Sequence, residues 1–150
     1  MKIRTEICGE GEEEIVIRCS KETPEIARLE NGIKRLISEE GNMQVNLGDR
    51  KFLLSFGEIL FFETGDGKTT VHTNGGMYYT GLKLFELESL LPGTFARASK
   101  STIVNIARIR SIKRNITGPS EVTFRRSEKI TYISRSYYKS FTDKIEEVRK

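Results

Sequence analysis

Histidine and cysteine are scarce in this chain: His72 stands alone among 150 residues, and cysteine occurs only at positions 8 and 19. No Cys/His cluster can therefore hold zinc, and no hydrolytic triad can be assembled. His72 lies in a strand-like TTVHT run and reads as structural. Cys8 and Cys19 are too few for a disulfide framework and lack metal-site spacing. Both are expected as reduced core residues of a cytoplasmic protein. No apolar run reaches the roughly 18 residues a membrane helix needs. The acidic start, MKIRTEICGEGEEE, has no long apolar region and so does not read as a secretion signal. These absences point away from an enzyme, with no metal, no cofactor and no small-molecule substrate expected.

Charge is present, and it is unevenly placed. From Phe95 onward there are 14 Lys/Arg against 5 Asp/Glu, a net of +9, whereas residues 1–94 carry 11 against 16, a net of −5. Such asymmetry suits a polyanion such as nucleic acid; a solvated basic face is the bland alternative.

Along the chain, residues 2–7 (KIRTEI) and 14–19 (EIVIRC) alternate apolar with polar and predict a short hairpin. Thr23-Pro24-Glu25 opens a helix with Ile26, Leu29, Ile33, Leu36 and Ile37 on one stripe, closed by Gly41-Asn42. A boundary is expected between Gly41 and Asp49. It separates an N-terminal hairpin and helix (1–48, a dimerisation or regulatory segment) from a second domain (49–150). Beyond it, strands are predicted at 43–47, 51–55, 58–63, 69–73 and 77–80, with hairpin turns at Gly65-Asp66-Gly67 and Asn74-Gly75-Gly76. Leu82 to Leu91 reads as a short helix with Leu84, Leu87, Leu90 and Leu91 inward. Residues 121–124 and 129–133 form one more hairpin, and Ser134 is placed to cap a last helix with Tyr137, Tyr138, Phe141, Ile145 and Val148 inward. Many short strands, three helices and no βαβ alternation imply an antiparallel, mainly β fold with short helices (α+β).

GDGKTT at Gly65 to Thr70 imitates half of a nucleotide-binding loop, but Phe62 stands where the first glycine is required and strand, not helix, follows Lys68-Thr69. It reads as a hairpin turn that can offer Lys68 to a partner.

The most unusual stretch is FARASKSTIVNIARIRSI, Phe95 to Ile112. Arg97, Ser99, Lys100 and Ser101 can present cations and hydroxyls from a loop, as phosphates and base edges require. Arg97 fits a phosphate clamp or a cross-strand ion pair equally. Lys100 is otherwise a solvated lysine. Asn105 reads as tying down backbone at a strand end. Ile103, Val104, Ile109, Ile112, Tyr138 and Phe141 are assigned to the core. Arg135 follows a cap-forming serine, so its guanidinium would project beside a helix N-terminus, where phosphate is favoured and guanine is within reach; a surface salt bridge is the alternative.

Three blocks, EILFFET (58–64), FARASKSTIVNIARIRSI (95–112) and ISRSYYKSF (133–141), resemble the LytTR family of bacterial DNA-binding domains. The middle block approaches that family's F-x-R-x-x-[KR]-S-x-[IV]-V-N pattern, the last its I-S-R-x-Y ending, and the likeness spans about two thirds of the chain. It implies an elongated antiparallel β fold that binds double-stranded DNA through loops near Lys68-Thr69, Ser99-Lys100 and Arg135. It implies a response-regulator-like transcriptional regulator acting on paired promoter repeats, as a homodimer at least on DNA, in some members with a regulatory membrane-protein partner. The first 48 residues are too short for a receiver domain, so phosphorelay control is not expected. A protein-interaction module is the alternative from another class. RNA binding is disfavoured by the lack of an aromatic stacking platform.

Overall fold

A computed structural model describes residues 2–7, 9–11, 14–39 and 41–149. The order is α1 (Pro24–Glu39), β1 (Asn42–Leu47), β2 (Arg50–Ser55), β3 (Ile59–Gly65), β4 (Lys68–Thr73), β5 (Met77–Thr80), α2 (Leu84–Leu90), β6 (Phe95–Ser99), β7 (Thr102–Asn105), β8 (Ile109–Lys113), β9 (Ser120–Phe124), β10 (Ile130–Ile133) and α3 (Tyr138–Arg149). All strand pairs are antiparallel. A seven-stranded sheet runs β2-β1-β5-β4-β3-β7-β6, and a three-stranded sheet runs β10-β9-β8. The mainly antiparallel β reading with three helices holds.

EILFFET supplies β3, an inner strand of the large sheet with both of its faces covered. Ile59 and Phe62 join Val45, Leu54, Val71, Leu87 and Ile103 in one core beneath α2. Leu60 and Phe61 join Val104, Val122, Phe124, Ile133 and Phe141 in a second core, between the two sheets and α3. Strict alternation would put Leu60 and Phe61 on opposite faces. A bulge between Ile59 and Phe61 in the β3–β4 ladder turns both the same way.

GDGKTT is the turn expected: Asp66 and Gly67 take φ of 53° and 74° between paired Gly65 and Lys68. Asp-Gly suits this turn, since left-handed backbone at both central residues matches the strand twist. Thr23 caps α1, its hydroxyl accepting the Ile26 amide at 3.3 Å.

Several expectations need correction. Residues 2–7 and 14–19 form no strands, and Ile3 and Ile7 are each 94 % exposed. Cys19 is exposed rather than in the core; Cys8 lies outside the described residues. The alternation was real, but a hairpin alone has too little to bury to hold together. Leu90 is 48 % exposed, since α2 ends there and Leu91 makes the inward turn instead. After β7 a 3-10 turn at Ile106–Arg108 moves the chain from one sheet to the other. The seven-stranded sheet takes in β1, ahead of position 49. Side chains of Leu36 and Ile37 lie outside the described residues.

Of the assigned core residues, Ile103, Val104 and Phe141 are fully buried. Ile109, Ile112 and Tyr138 are partly buried against the second core. No helix among the described residues is long and apolar enough to cross a membrane.

Candidate nucleic-acid interface

The three loops singled out by sequence lie far apart in the chain, and backbone hydrogen bonds place them side by side. The β3–β4 tip ends at Gly65 and Lys68, and the neighbouring Thr64 amide donates to the Ser101 carbonyl at 2.8 Å. Ser101 belongs to the β6–β7 turn. In that hairpin Arg97 pairs with Ile103 and Ser99 with Thr102, so Ala98 is an extra, bulged residue. A bulge frees one residue's backbone from its ladder. Here the Ala98 carbonyl accepts the Ser134 amide at 2.9 Å, which seats the segment carrying Arg135 beside the turn carrying Lys100. Lys68, Lys100 and Arg135 thus share one end of the molecule.

Within this end the side chains divide into two sets. Lys100 and Arg135 are exposed, and neither has a side-chain hydrogen bond or ion pair among the described residues. Lys68 is exposed, its ammonium 5.8 Å from the Tyr79 ring centroid. These three are free to meet an anion.

The others are already engaged. Thr69 is buried and donates its hydroxyl to the Leu82 carbonyl at 2.9 Å, bracing the hairpin from inside. Arg97 is in an ion pair, though with α2 rather than across strands: Nε bonds Glu88 at 2.6 Å, and Nη1 donates to the Lys100 carbonyl at 3.0 Å. It therefore fixes the turn that presents Lys100. Ser99 Oγ accepts the Ser101 amide at 3.2 Å and lies 3.3 Å from Ser101 Oγ, closing the same turn.

Arg135 does not flank a helix N-terminus as expected. It sits in a turn, Tyr137 N donating to Ser134 O, and α3 starts only at Tyr138. Its reach toward a groove is thus set by the Ala98–Ser134 bond rather than by a helix dipole.

Asn105 behaves as its sequence position suggested. Nδ2 donates to Ile59 O at 2.9 Å and Oδ1 accepts the Ala107 amide at 3.1 Å, at the far end of β7 from the loops. His72 is structural too. Its ring stacks on Phe61 at 4.1 Å, Nε2 lies 2.7 Å from Glu63 Oε1, and Nδ1 lies 3.4 Å from Lys129 Nζ. Burial lowers the imidazole's pKa more than Glu63 raises it, so at neutral pH the ring meets Glu63 as a neutral imidazole rather than an imidazolium. The Lys129 ammonium also donates to Gly76 O at 3.2 Å, which links the β9–β10 hairpin to the large sheet.

Sequence reasoning missed a second group of cations at the opposite end. Arg110, Arg126 and Lys129 line an open groove of about 650 Å³ with Asn74, Ser127 and Glu128. The excess of positive charge after Phe95 is therefore shared between two ends, and only the fold reveals the division.

Residues 49–146 match the LytTr DNA-binding domain family. An HTH-type transcriptional regulator of Staphylococcus aureus strain NCTC 8325 is 26 % identical over 138 residues, covering 91 % of this chain and 92 % of that protein. The sensory transduction protein LytR of Staphylococcus epidermidis is 28 % identical over 104 residues, covering 69 % of this chain and 41 % of that one. A solved LytTr DNA-binding domain of a methyl-accepting/DNA response regulator from Bacillus cereus superposes with a TM-score of 0.65 at 24 % identity. It covers 69 % of this chain and 95 % of that one, and shows the same fold. No helix-turn-helix occurs among the described residues here, since β1–β5 separate α1 from α2 and β6–β10 separate α2 from α3. With the family match spanning most of the chain and the fold agreeing, this chain belongs to the LytTr DNA-binding domain family.

Proposed function

We propose that the three adjoining loops are the DNA-reading surface of this DNA-binding transcription regulator. The observation that supports it most is the pair of backbone bonds, Thr64 to Ser101 and Ser134 to Ala98, which join the loops. Crossing from β4 to β6 takes three strand steps of about 4.8 Å, roughly 14 Å, with Arg135 beyond. That span is close to half of the roughly 34 Å turn of B-DNA, so one edge can address a major groove and the flanking backbone.

In this reading Arg135 offers a two-pronged donor to guanine O6 and N7, and Lys100 contacts a base edge. Lys68 meets phosphate. Ser99 and Ser101 shape the turn and share its backbone contacts, Arg97 holds Lys100 in place and lends charge, and Thr69 supports from within. The protein acts in the cytoplasm on paired promoter repeats, two copies per site, with input from a partner such as a small membrane protein.

A gel-shift series across salt, with the chain's own promoter and a scrambled duplex, tests this. A preference for the promoter that survives rising salt is expected. Equal affinity for both duplexes at every salt concentration overturns sequence-specific reading.

A further inference from the structure

We infer that residues 14–19 of one copy add as a strand to the free edge of β2 in a second copy, and that the exchange is reciprocal. β2 is outermost in the large sheet, with β1 on one side and no strand on the other among the described residues. An open edge carries a row of unpaired amides and carbonyls, and natural sheets cover or charge such edges. Here the edge is apolar at its middle: Leu53 is 72 % exposed, between half-buried Phe52 and buried Leu54.

The segment EIVIRC has the complementary pattern and no strand partner among the described residues. Ile15, Ile17 and Cys19 fall on one face of an extended chain and Glu14, Val16 and Arg18 on the other. Ile15 and Val16 are 66 % and 58 % exposed in the single chain, so a lone copy leaves both them and the edge uncovered. With Val16 beside Leu53, Ile15 and Ile17 continue the core face of Phe52 and Leu54. Charge sets the direction. A parallel strand puts Glu14 beside Lys51, whereas an antiparallel one puts Arg18 there. Gly9 and Gly11, at φ of 77° and 112° in a region open to glycine, can let residues 2–7 come alongside as an outer strand. Main-chain bonds to an edge, with side chains supplying specificity, are a common mode of recognition. Reciprocal placement closes a two-fold dimer in which the β2 edge of each copy is covered by the other.

The test uses the full chain without DNA, so it is independent of the loops. Light scattering during size exclusion should give twice the monomer mass. Leu53→Lys should reduce it to the monomer with unchanged circular dichroism, and adding Val16→Glu should restore the dimer. A chain with Cys8→Ser, Cys19→Ser, Val16→Cys and Leu53→Cys should give a disulfide-linked dimer on oxidation. A link formed within one chain would place the strand on its own edge and overturn the exchange. A monomeric wild type, together with no link in the cysteine variant, would overturn strand addition altogether.

Discussion

Replacing Asn105 with alanine separates support from recognition. The side chain is 1 % exposed and serves three backbone groups: Ile59 O at 2.9 Å, Phe56 O at 3.4 Å and Ala107 N at 3.1 Å. The contact to Phe56 is long and contributes little. Losing the other two leaves a buried carbonyl and a half-buried amide without partners, each costing about 1–3 kcal/mol. Since the neighbouring 3-10 turn can relax, a total of roughly 2–4 kcal/mol is expected. At about 4 °C per kcal/mol this lowers Tm by roughly 8–16 °C. Thermal unfolding by circular dichroism reads the loss. Fluorescence anisotropy with promoter DNA, at a temperature where the variant is folded, should give an unchanged Kd, because Asn105 lies at the end of β7 remote from Lys100. Asn105→Asp should lower Tm at least as far as alanine at neutral pH, since it sets a buried carboxylate oxygen against the Ile59 carbonyl. An unchanged Tm with weakened DNA binding would refute the reasoning and place Asn105 on the DNA.

Arg135→Ala should cost about 1–3 kcal/mol in binding and relax preference at one base pair in a mutated-operator series. Loss spread evenly over all sequences would make Arg135 a phosphate contact. Lys68→Ala should lower the slope of log K against log salt by about 1 and leave sequence preference intact. Arg97→Gln frees the Lys100 turn, so promoter preference should fall further than the slope does, while loss of slope alone would mark Arg97 as a phosphate clamp. For pH, burial holds the folded His72 pKa below its ordinary 6.5, so the unfolded chain takes up that proton first. Stability should be full above about 6.5 and decline as pH falls toward the folded value. His72→Gln should flatten that decline in Tm against pH. An identical pH profile in the variant would show that another group titrates.

Local pattern reaches only so far in this chain. Period-2 alternation and Asp-Gly or Asn-Gly turns located β2 through β5 within a residue or two, because hairpin geometry is set by neighbours in sequence. The unbroken apolar run in EILFFET marks a strand covered on both faces, which is why Phe61 and Phe62 lie in different cores. The same alternation at 2–7 and 14–19 predicted strands that a single chain does not form. A strand's existence depends on an edge to pair with, and sequence does not say where that edge is.

Through its resemblance to the LytTR family, the sequence by itself pointed to DNA as the partner and marked the candidates to meet it. The cations Lys68, Lys100 and Arg135 and the hydroxyls around them are legible in composition and motif. Tertiary structure decided which of the candidates are free. Thr69 is turned inward and Arg97 is committed to Glu88 and the Lys100 carbonyl, since burial and hydrogen-bond partners come from distant segments. It also decided that three loops form one surface. A bulge at Ala98 and its bond to Ser134 join residues that neither spacing nor periodicity relates, because antiparallel pairing couples positions far apart in the chain.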